Sequence, residues 1–394
     1  MDEGDIAIML GSQLIQTILN SAPFDEIKDL VKKTGAPVWY QDEVEGMSPL
    51  HAAAYVRRPD VAKFLIQEGA VWNAVDNLKN TAGDIALSFN DEETYTLIRD
   101  AGIRSEMLLG ILASQNKPQP DSSSDPLDTS TSNVVQHTDD TAAGSTSAFL
   151  DSKLVYTVDE HGQSICKVKV KAQVPKLIIG EDGSEEKEEE IGTGIMKETV
   201  RKLTEGHPNE KEGLKVLNVG FGLGIIDTLF ESLPTPPSQH VIIEPHPDVL
   251  AHMRATGWYD RPNVTILEGK WQDFVGPTSN HKSLEFGGFD VVYTDTFSED
   301  YSALKEFFEQ LPDILDGPGA RFGFFNGLGA TNALFYDVYT HISELHLADI
   351  GLDVEWSDVD VSTDDGEDRW GQSREYFNLP IYRLPVARMR DMSL

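Results

Sequence analysis

The stretch Leu214-Lys-Val-Leu-Asn-Val-Gly-Phe-Gly-Leu-Gly224, with Val241-Ile-Ile-Glu244 downstream, constrains the fold more than any other part of the chain. The apolar run through Val216, Leu217 and Val219 reads as a buried parallel strand. It leads into Gly220, Gly222 and Gly224, whose missing Cβ atoms let a loop approach a ligand closely. Ile225-Ile-Asp-Thr-Leu-Phe230 then opens a helix. A second apolar strand, Val241 to Ile243, ends in Glu244, an acid placed to accept two hydrogen bonds from a ribose diol. Strand, glycine loop, helix, strand and acid make a nucleoside-binding half-fold.

The loop spacing selects among nucleoside cofactors. Dinucleotide sites require G-x-G-x-x-G, which turns a helix N-terminus toward a pyrophosphate. Here the third glycine falls one residue early, at Gly224. G-x-G-x-G resembles the first motif of S-adenosylmethionine-dependent methyltransferases, whose ligand carries no phosphate. On the loop alone, a glycine turn that binds nothing is the competing reading. Glu244 at the strand end favours the adenosyl cofactor.

The rest of the chain divides around this core. Gly35, Gly69 and Gly102 are spaced 34 and 33 residues apart. Gly46-Met-Ser-Pro-Leu-His51-Ala-Ala-Ala54 resembles the ankyrin signature T-P-L-H-x-A, and Thr81-Ala-Gly-Asp84-Ile-Ala86 repeats its phase 33 residues after Ser48. Val61, Phe64, Leu65 and Gly69 fit a second helix and its terminating glycine. Residues 1–112 are therefore expected to be two or three stacked helix pairs, with His51 a buried helix-start residue and not a metal ligand. Residues 113–147 are rich in Ser, Thr, Asp and Pro, which predicts a disordered linker. Residues 148–394 read as a second domain. It opens with a hairpin, Leu154–Val158 and Ile165–Val170, around Asp159-Glu-His-Gly162. A charged loop at 181–190 and a short helix at 196–203 precede the glycine-loop strand. Further strands are expected at 264–267, 289–293 and 321–325, and helices at 304–315 and 333–347. The alternation predicts a doubly wound α/β sheet.

Composition excludes some partners. The net charge of −34 leaves no electrostatic footprint for nucleic acid or an anionic membrane. Most of this charge serves solubility, and the rest suits a basic substrate. Cys166 is the single cysteine, so no intramolecular disulfide or cysteine metal cluster can form, as in a reducing cytosol or nucleus. Met1-Asp-Glu-Gly-Asp5 lacks the basic start of a signal peptide. No apolar run approaches the ~18 residues of a membrane span.

Three groups follow the strand ends. Glu244-Pro245-His246 holds the cofactor acid, with His246 read as a turn residue beside the ribose. Trp271 and Gln272 follow the third strand, where this fold presents an aromatic wall and a polar edge to the adenine; ordinary core is the alternative for Trp271. Asp295 ends the fourth strand, at a catalytic position in open α/β sheets, with a turn acid as the alternative. Methyl transfer needs a lone pair aimed at the methyl carbon. A guanidine stays protonated far above neutral pH, and paired carboxylates can hold its planar fork and orient one nitrogen.

From Leu150 to about Pro385 the chain resembles the fungal protein arginine N5-methyltransferases (type IV, acting on the δ-nitrogen), related to guanidinoacetate N-methyltransferase. The matching words are Asp159–Gly162, Leu217–Ile226, Ile243–Pro247, Gly269–Asp273, Tyr293–Phe297, Phe325–Leu328 on to Asn332, and Tyr382–Pro385. The ankyrin-like segment also fits that family's layout. The resemblance implies a Rossmann-like methyltransferase sheet and S-adenosyl-L-methionine as cofactor, with no metal. It implies cofactor contacts at Met196, Phe221, Gly222, Leu223, Gly224, Ile225, Ile226, Glu244, Pro245, His246, Trp271, Gln272 and Asp295. Asp295 would also face the guanidino group as the catalytic residue. A monomer in cytoplasm and nucleus, acting on a basic protein with ribosomal proteins among the candidates, is the expected setting.

One departure stands out. Related enzymes carry a Met-Met-x-Trp-Glu word before the glycine-loop strand, where this chain reads Ile191-Gly-Thr-Gly-Ile-Met196-Lys-Glu198. The word's acid would be a second carboxylate, and Glu198 lies about a turn too late to replace it. Methylation of a small guanidino metabolite and a non-catalytic ankyrin adaptor are therefore the alternative functions.

Overall fold

The helices and strands form where apolar spacing and caps permit them. The computed structural model describes residues 3–115, 149–158, 164–169, 176–177, 188–275, 287–296, 299–361, 377 and 379–390. The expected linker at 113–147 and the word Asp159–Gly162 lie almost wholly outside these. The chain falls into two units, one of residues 1–124 and 332–342 and one of 125–331 and 343–394. No helix among the described residues is long and apolar enough to cross a membrane.

The first unit stacks three helix pairs: α1 (Glu3–Leu19) with α2 (Phe24–Thr34), α3 (Pro49–Tyr55) with α4 (Pro59–Gln67), and α5 (Ala82–Ser88) with α6 (Glu92–Gln115). The two repeat words are helix caps. Ser48 accepts from the His51 backbone N–H, while His51 Nδ1 accepts from the Ser48 N–H. Thr81 and Asp84 make the same reciprocal pair 33 residues later. His51 is buried, and its Nε2 reaches the Asn80 carbonyl at 3.1 Å, which confirms a structural histidine. Gly35 and Gly69 terminate α2 and α4 at φ +75° and +93°. Gly102 does not belong to that series. It lies inside α6, where a Cβ would come within 2.9 Å of Trp72 and Val338. Close packing, not a helix end, placed a glycine there. Residues 332–342 complete the unit: Asn332 donates to Asp84 at 2.6 Å, and Tyr95 donates to Asp337 at 2.5 Å.

In the second unit a small antiparallel sheet, β1 (Lys153–Val158), β2 (Ser164–Lys169) and β3 (Lys176–Leu177), precedes helix α7 (Glu188–Thr204). The charged loop thus ends earlier than its composition suggests, because Glu188–Glu190 enter the helix. The main sheet holds β4 (Lys215–Val219), β5 (Gln239–Glu244), β6 (Val264–Glu268), β7 (Val291–Thr294), β8 (Arg321–Phe324), β9 (Leu352–Asp360) and β10 (Ile381–Met389), in the order β6-β5-β4-β7-β8-β10-β9. Helices α8 (Ile225–Glu231) and α9 (Pro247–Ala255) follow β4 and β5, and α10 (Tyr301–Phe308) and α11 (Leu311–Ile314) follow β7. Helix α12 (Ala333–Asp349) leads into β9. The single helix expected at 304–315 is two, the second starting with Pro312 in its first turn.

β4 to β8 are parallel, while β10 runs antiparallel to both its neighbours. The sheet is therefore mixed at one edge. Leu217, Val219, Val241, Ile243, Val292 and Phe322 enter one apolar layer with Phe307 and Leu311. Ile242 enters the other with Val249, Leu250 and Met253. Each fully buried side chain of this size contributes ~1.5–3 kcal/mol.

A buried polar cluster braces the glycine loop from behind. Asn218 donates to both oxygens of Asp227 at 2.9 Å and to the Gly220 carbonyl at 2.9 Å. His240 bridges Asp227 (3.0 Å) and Glu231 (2.8 Å). Burial works against the imidazolium, but the two carboxylates outweigh it and hold His240 above its ordinary pKa. Such a group contributes stability that is full below the ordinary value and lost as pH rises through the raised one. Melting temperature is therefore expected to fall as pH rises above the imidazole range, and the fall should be absent in His240→Asn. His240→Ala leaves two buried carboxylates without their cation and should cost about 3–5 kcal/mol, read by denaturant unfolding.

Candidate active site

Three strand ends, those of β4, β5 and β7, bring the site together. The Gly220 N–H donates to the Ile243 carbonyl, and the Asp295 N–H donates to the Val219 carbonyl, each at 2.9 Å. Gly220, at φ +94°, lies so close to the next strand end that a Cβ would be 2.1 Å from the Asp295 carbonyl oxygen. Any side chain at position 220 would force the two strand ends apart. Gly222 (φ +55°) has open space where a Cβ would go, and it lines a cavity above the sheet. Gly224 caps α8, with the Phe221 ring filling the space a side chain would take.

Glu244 is 4% exposed. Its carboxylate accepts from the Phe221 N–H at 3.0 Å and the His246 N–H at 2.7 Å. Burial nevertheless pushes it up to about 7, and the amide donors pull the other way. Asp295 is half-buried, and its desolvated carboxyl is also pushed up to about 7. No hydrogen-bond partner for the Asp295 side chain is found among the described residues.

Met196, Phe221, Gly222, Leu223, Ile225, Ile226, Glu244, Pro245, Trp271 and Asp295 all line this one cavity. Gly224, His246 and Gln272 stand one step back. The His246 ring caps α9 by accepting from the Asp248 N–H at 3.1 Å and reaches the Phe149 carbonyl at 3.2 Å with Nε2. Gln272 donates to Glu299 at 3.2 Å. Met196 accepts from the Tyr293 hydroxyl at 3.6 Å.

Sequence reasoning missed two parts of the lining. Phe149, Leu154, Tyr156 and Cys166 form an apolar wall. Tyr156 donates to the Gly222 carbonyl at 3.2 Å, and the Asp248 carboxylate accepts from the Leu154 N–H at 2.8 Å. Tyr156 also stacks on His252, with ring centroids 3.9 Å apart. The alternating hairpin pattern was the available signal, but it does not say which distant element the strand covers. The second missed part is Glu299, which receives the Trp271 indole N–H at 3.0 Å.

These residues fit S-adenosylmethionine. The open space at Gly222 admits a ligand where a Cβ would stand. A buried acid, fixed by backbone donors, keeps acceptor capacity for a ribose diol. Apolar walls and the indole suit an adenine. Strand order, glycine loop and strand-end acid define the Rossmann-like methyltransferase class.

The ankyrin repeat family matches residues 45–77. Protein arginine N-methyltransferase 2 of Cryptococcus neoformans is 40% identical over 97% of this chain and 96% of its own length. The protein of the same name is 30% identical in Aspergillus oryzae (98% of each chain) and 34% in Neurospora crassa (95% of each). Among solved structures, precorrin-6y C5,15-methyltransferase from Geobacter metallireducens is similar at 17% identity and a TM-score of 0.35, over 50% of this chain and 87% of its own. The chain belongs to the protein arginine N-methyltransferase 2 family.

Proposed function

We propose that this chain transfers a methyl group from S-adenosylmethionine to the δ-nitrogen of arginine in a basic protein substrate. The observation that carries the reading is Asp295: a desolvated carboxylate without a partner among the described residues, at a strand tip in the lining of the glycine-loop cavity. An unpaired half-buried anion is costly, and a guanidinium is the cation whose fork it can hold and orient. Glu244, the glycine loop and Trp271 would hold the cofactor, which supplies an electrophilic methyl on a sulfonium. Asp295 would then orient the attacking nitrogen and take up the proton it releases. The choice of the δ-nitrogen rests on the resemblance through Tyr293–Phe297 and the other shared words, and relatives of the same family name support arginine.

The helix-pair unit makes a small metabolite the weaker alternative, since such stacks present extended surfaces suited to protein partners. The acidic chain suits a basic partner, with ribosomal proteins among the candidates, met by a monomer in cytoplasm and nucleus. Fragmentation of methylated substrate by mass spectrometry tests the nitrogen. The expected product is δ-monomethylarginine, and ω-methylarginine alone would contradict the assignment.

A further inference from the structure

We infer that Glu299 is the second carboxylate of the guanidinium site, gripping the arginine fork together with Asp295 in place of the acid missing around Ile191–Glu198. This rests on the arginine reading of the site.

Glu299 follows Asp295 by four residues and lines the same cavity. Its carboxylate is fixed from behind. The Trp271 indole N–H is shared between its two oxygens at 3.0 and 3.1 Å, and the Gln272 amide donates at 3.2 Å. These are two neutral donors against a group with about four acceptor positions. They orient the carboxylate without neutralising it and leave lone pairs free. No Lys or Arg pairs with Asp295 or Glu299 among the described residues. Among the described residues the cavity lining holds Glu244, Asp295 and Glu299 against a single cation, Lys270, which forms no ion pair with any of them. A planar cation with five N–H donors suits the acids left over.

The other acid considered is already engaged. Glu198 accepts from Arg201 Nε at 2.7 Å and Nη2 at 2.5 Å on the outer face of α7, and it does not line the cavity. The Arg201 fork holds it below the usual carboxylate range. Of the other acids lining the cavity, Glu244 is held by the Phe221 and His246 N–H groups at the glycine loop, which leaves Glu299 as the partner for Asp295.

The opposing view is that Glu299 serves only to hold Trp271. Glu299→Gln separates the two, because its carbonyl still accepts the indole N–H while the charge is gone. The full-length protein, saturated with S-adenosylhomocysteine, is titrated with an arginine-containing basic peptide and with the same peptide carrying lysine instead. Wild type should prefer the arginine peptide. Glu299→Gln should weaken that binding by about tenfold or more, the scale of a lost charge-assisted contact. It should raise KM for the peptide correspondingly and leave affinity for S-adenosylhomocysteine within about threefold. Glu299→Asp, which keeps the charge, should recover part of the loss. If Glu299→Gln binds the arginine peptide as wild type does, the assignment is wrong. If it loses cofactor and peptide affinity in equal measure, Glu299 only positions Trp271. If wild type shows no preference for arginine over lysine, the arginine reading itself falls, and this inference with it.

Discussion

Asp295→Asn is expected to bind S-adenosylmethionine within a few-fold of wild type and to methylate arginine at least about 100-fold more slowly, the scale of losing one positioned charged group. The two effects separate because the residue's backbone and side chain do different things. The Asp295 N–H bond to Val219 and its carbonyl packed against Gly220 belong to the main chain and survive the substitution. Glu244 and the glycine loop, proposed to hold the cofactor, are untouched. What disappears is the negative charge that balances a guanidinium. Asn keeps the size and one acceptor, so a cavity or a misfolded loop does not account for lost turnover. Titration calorimetry gives the cofactor affinity and single-turnover rates give the chemistry. Equal rates in both proteins would remove Asp295 from the mechanism.

Gly222→Val should abolish measurable cofactor binding, a loss of about 100-fold or more, while leaving the fold intact. The backbone there is left-handed, which costs a non-glycine residue roughly 1–2 kcal/mol and a β-branched one more. The larger effect is spatial. A Cβ at this position meets no protein atom within 4 Å and enters the space proposed for the ligand. Gly222→Ala should show a smaller loss. Gly220→Ala forms the contrast, because its Cβ would strike the Asp295 carbonyl. It should lower the melting temperature as well as affinity, whereas Gly222→Val should mainly lower affinity. Wild-type affinity in Gly222→Val would move the cofactor elsewhere.

Local pattern made part of this site legible. Val216–Val219 and Val241–Ile243 became adjacent buried parallel strands because apolar runs of that length, separated by a helix, pack in few other ways. Glu244 could be picked out because an acid terminating such a strand faces the ligand side. Legibility ended where a role depends on a partner far along the chain. Glu299 belongs to no word of its own, and its importance comes from an indole 28 residues earlier. Tyr156 meets the glycine loop 66 residues later. The β9–β10 hairpin was hidden because alternate positions of β9 carry Asp and Glu, which reads as a solvated loop until the partner strand is known. Gly102 fell into the repeat phase by spacing, although Trp72 and Val338 explain it better. The absent Met-Met-x-Trp-Glu word suggested a missing acid. We infer a different acid in its place, Glu299, which lines the same cavity four residues beyond Asp295.

We propose that this cavity works as an arginine methyltransferase despite that missing word. Full-length protein incubated with a basic protein and S-adenosylmethionine labelled on the methyl group, followed by acid hydrolysis and amino-acid analysis, tests it most directly. Label is expected in monomethylarginine from wild type, with a loss of about 100-fold or more in Asp295→Asn. Tight cofactor binding with no label entering arginine would contradict it and leave a cofactor-binding adaptor in its place.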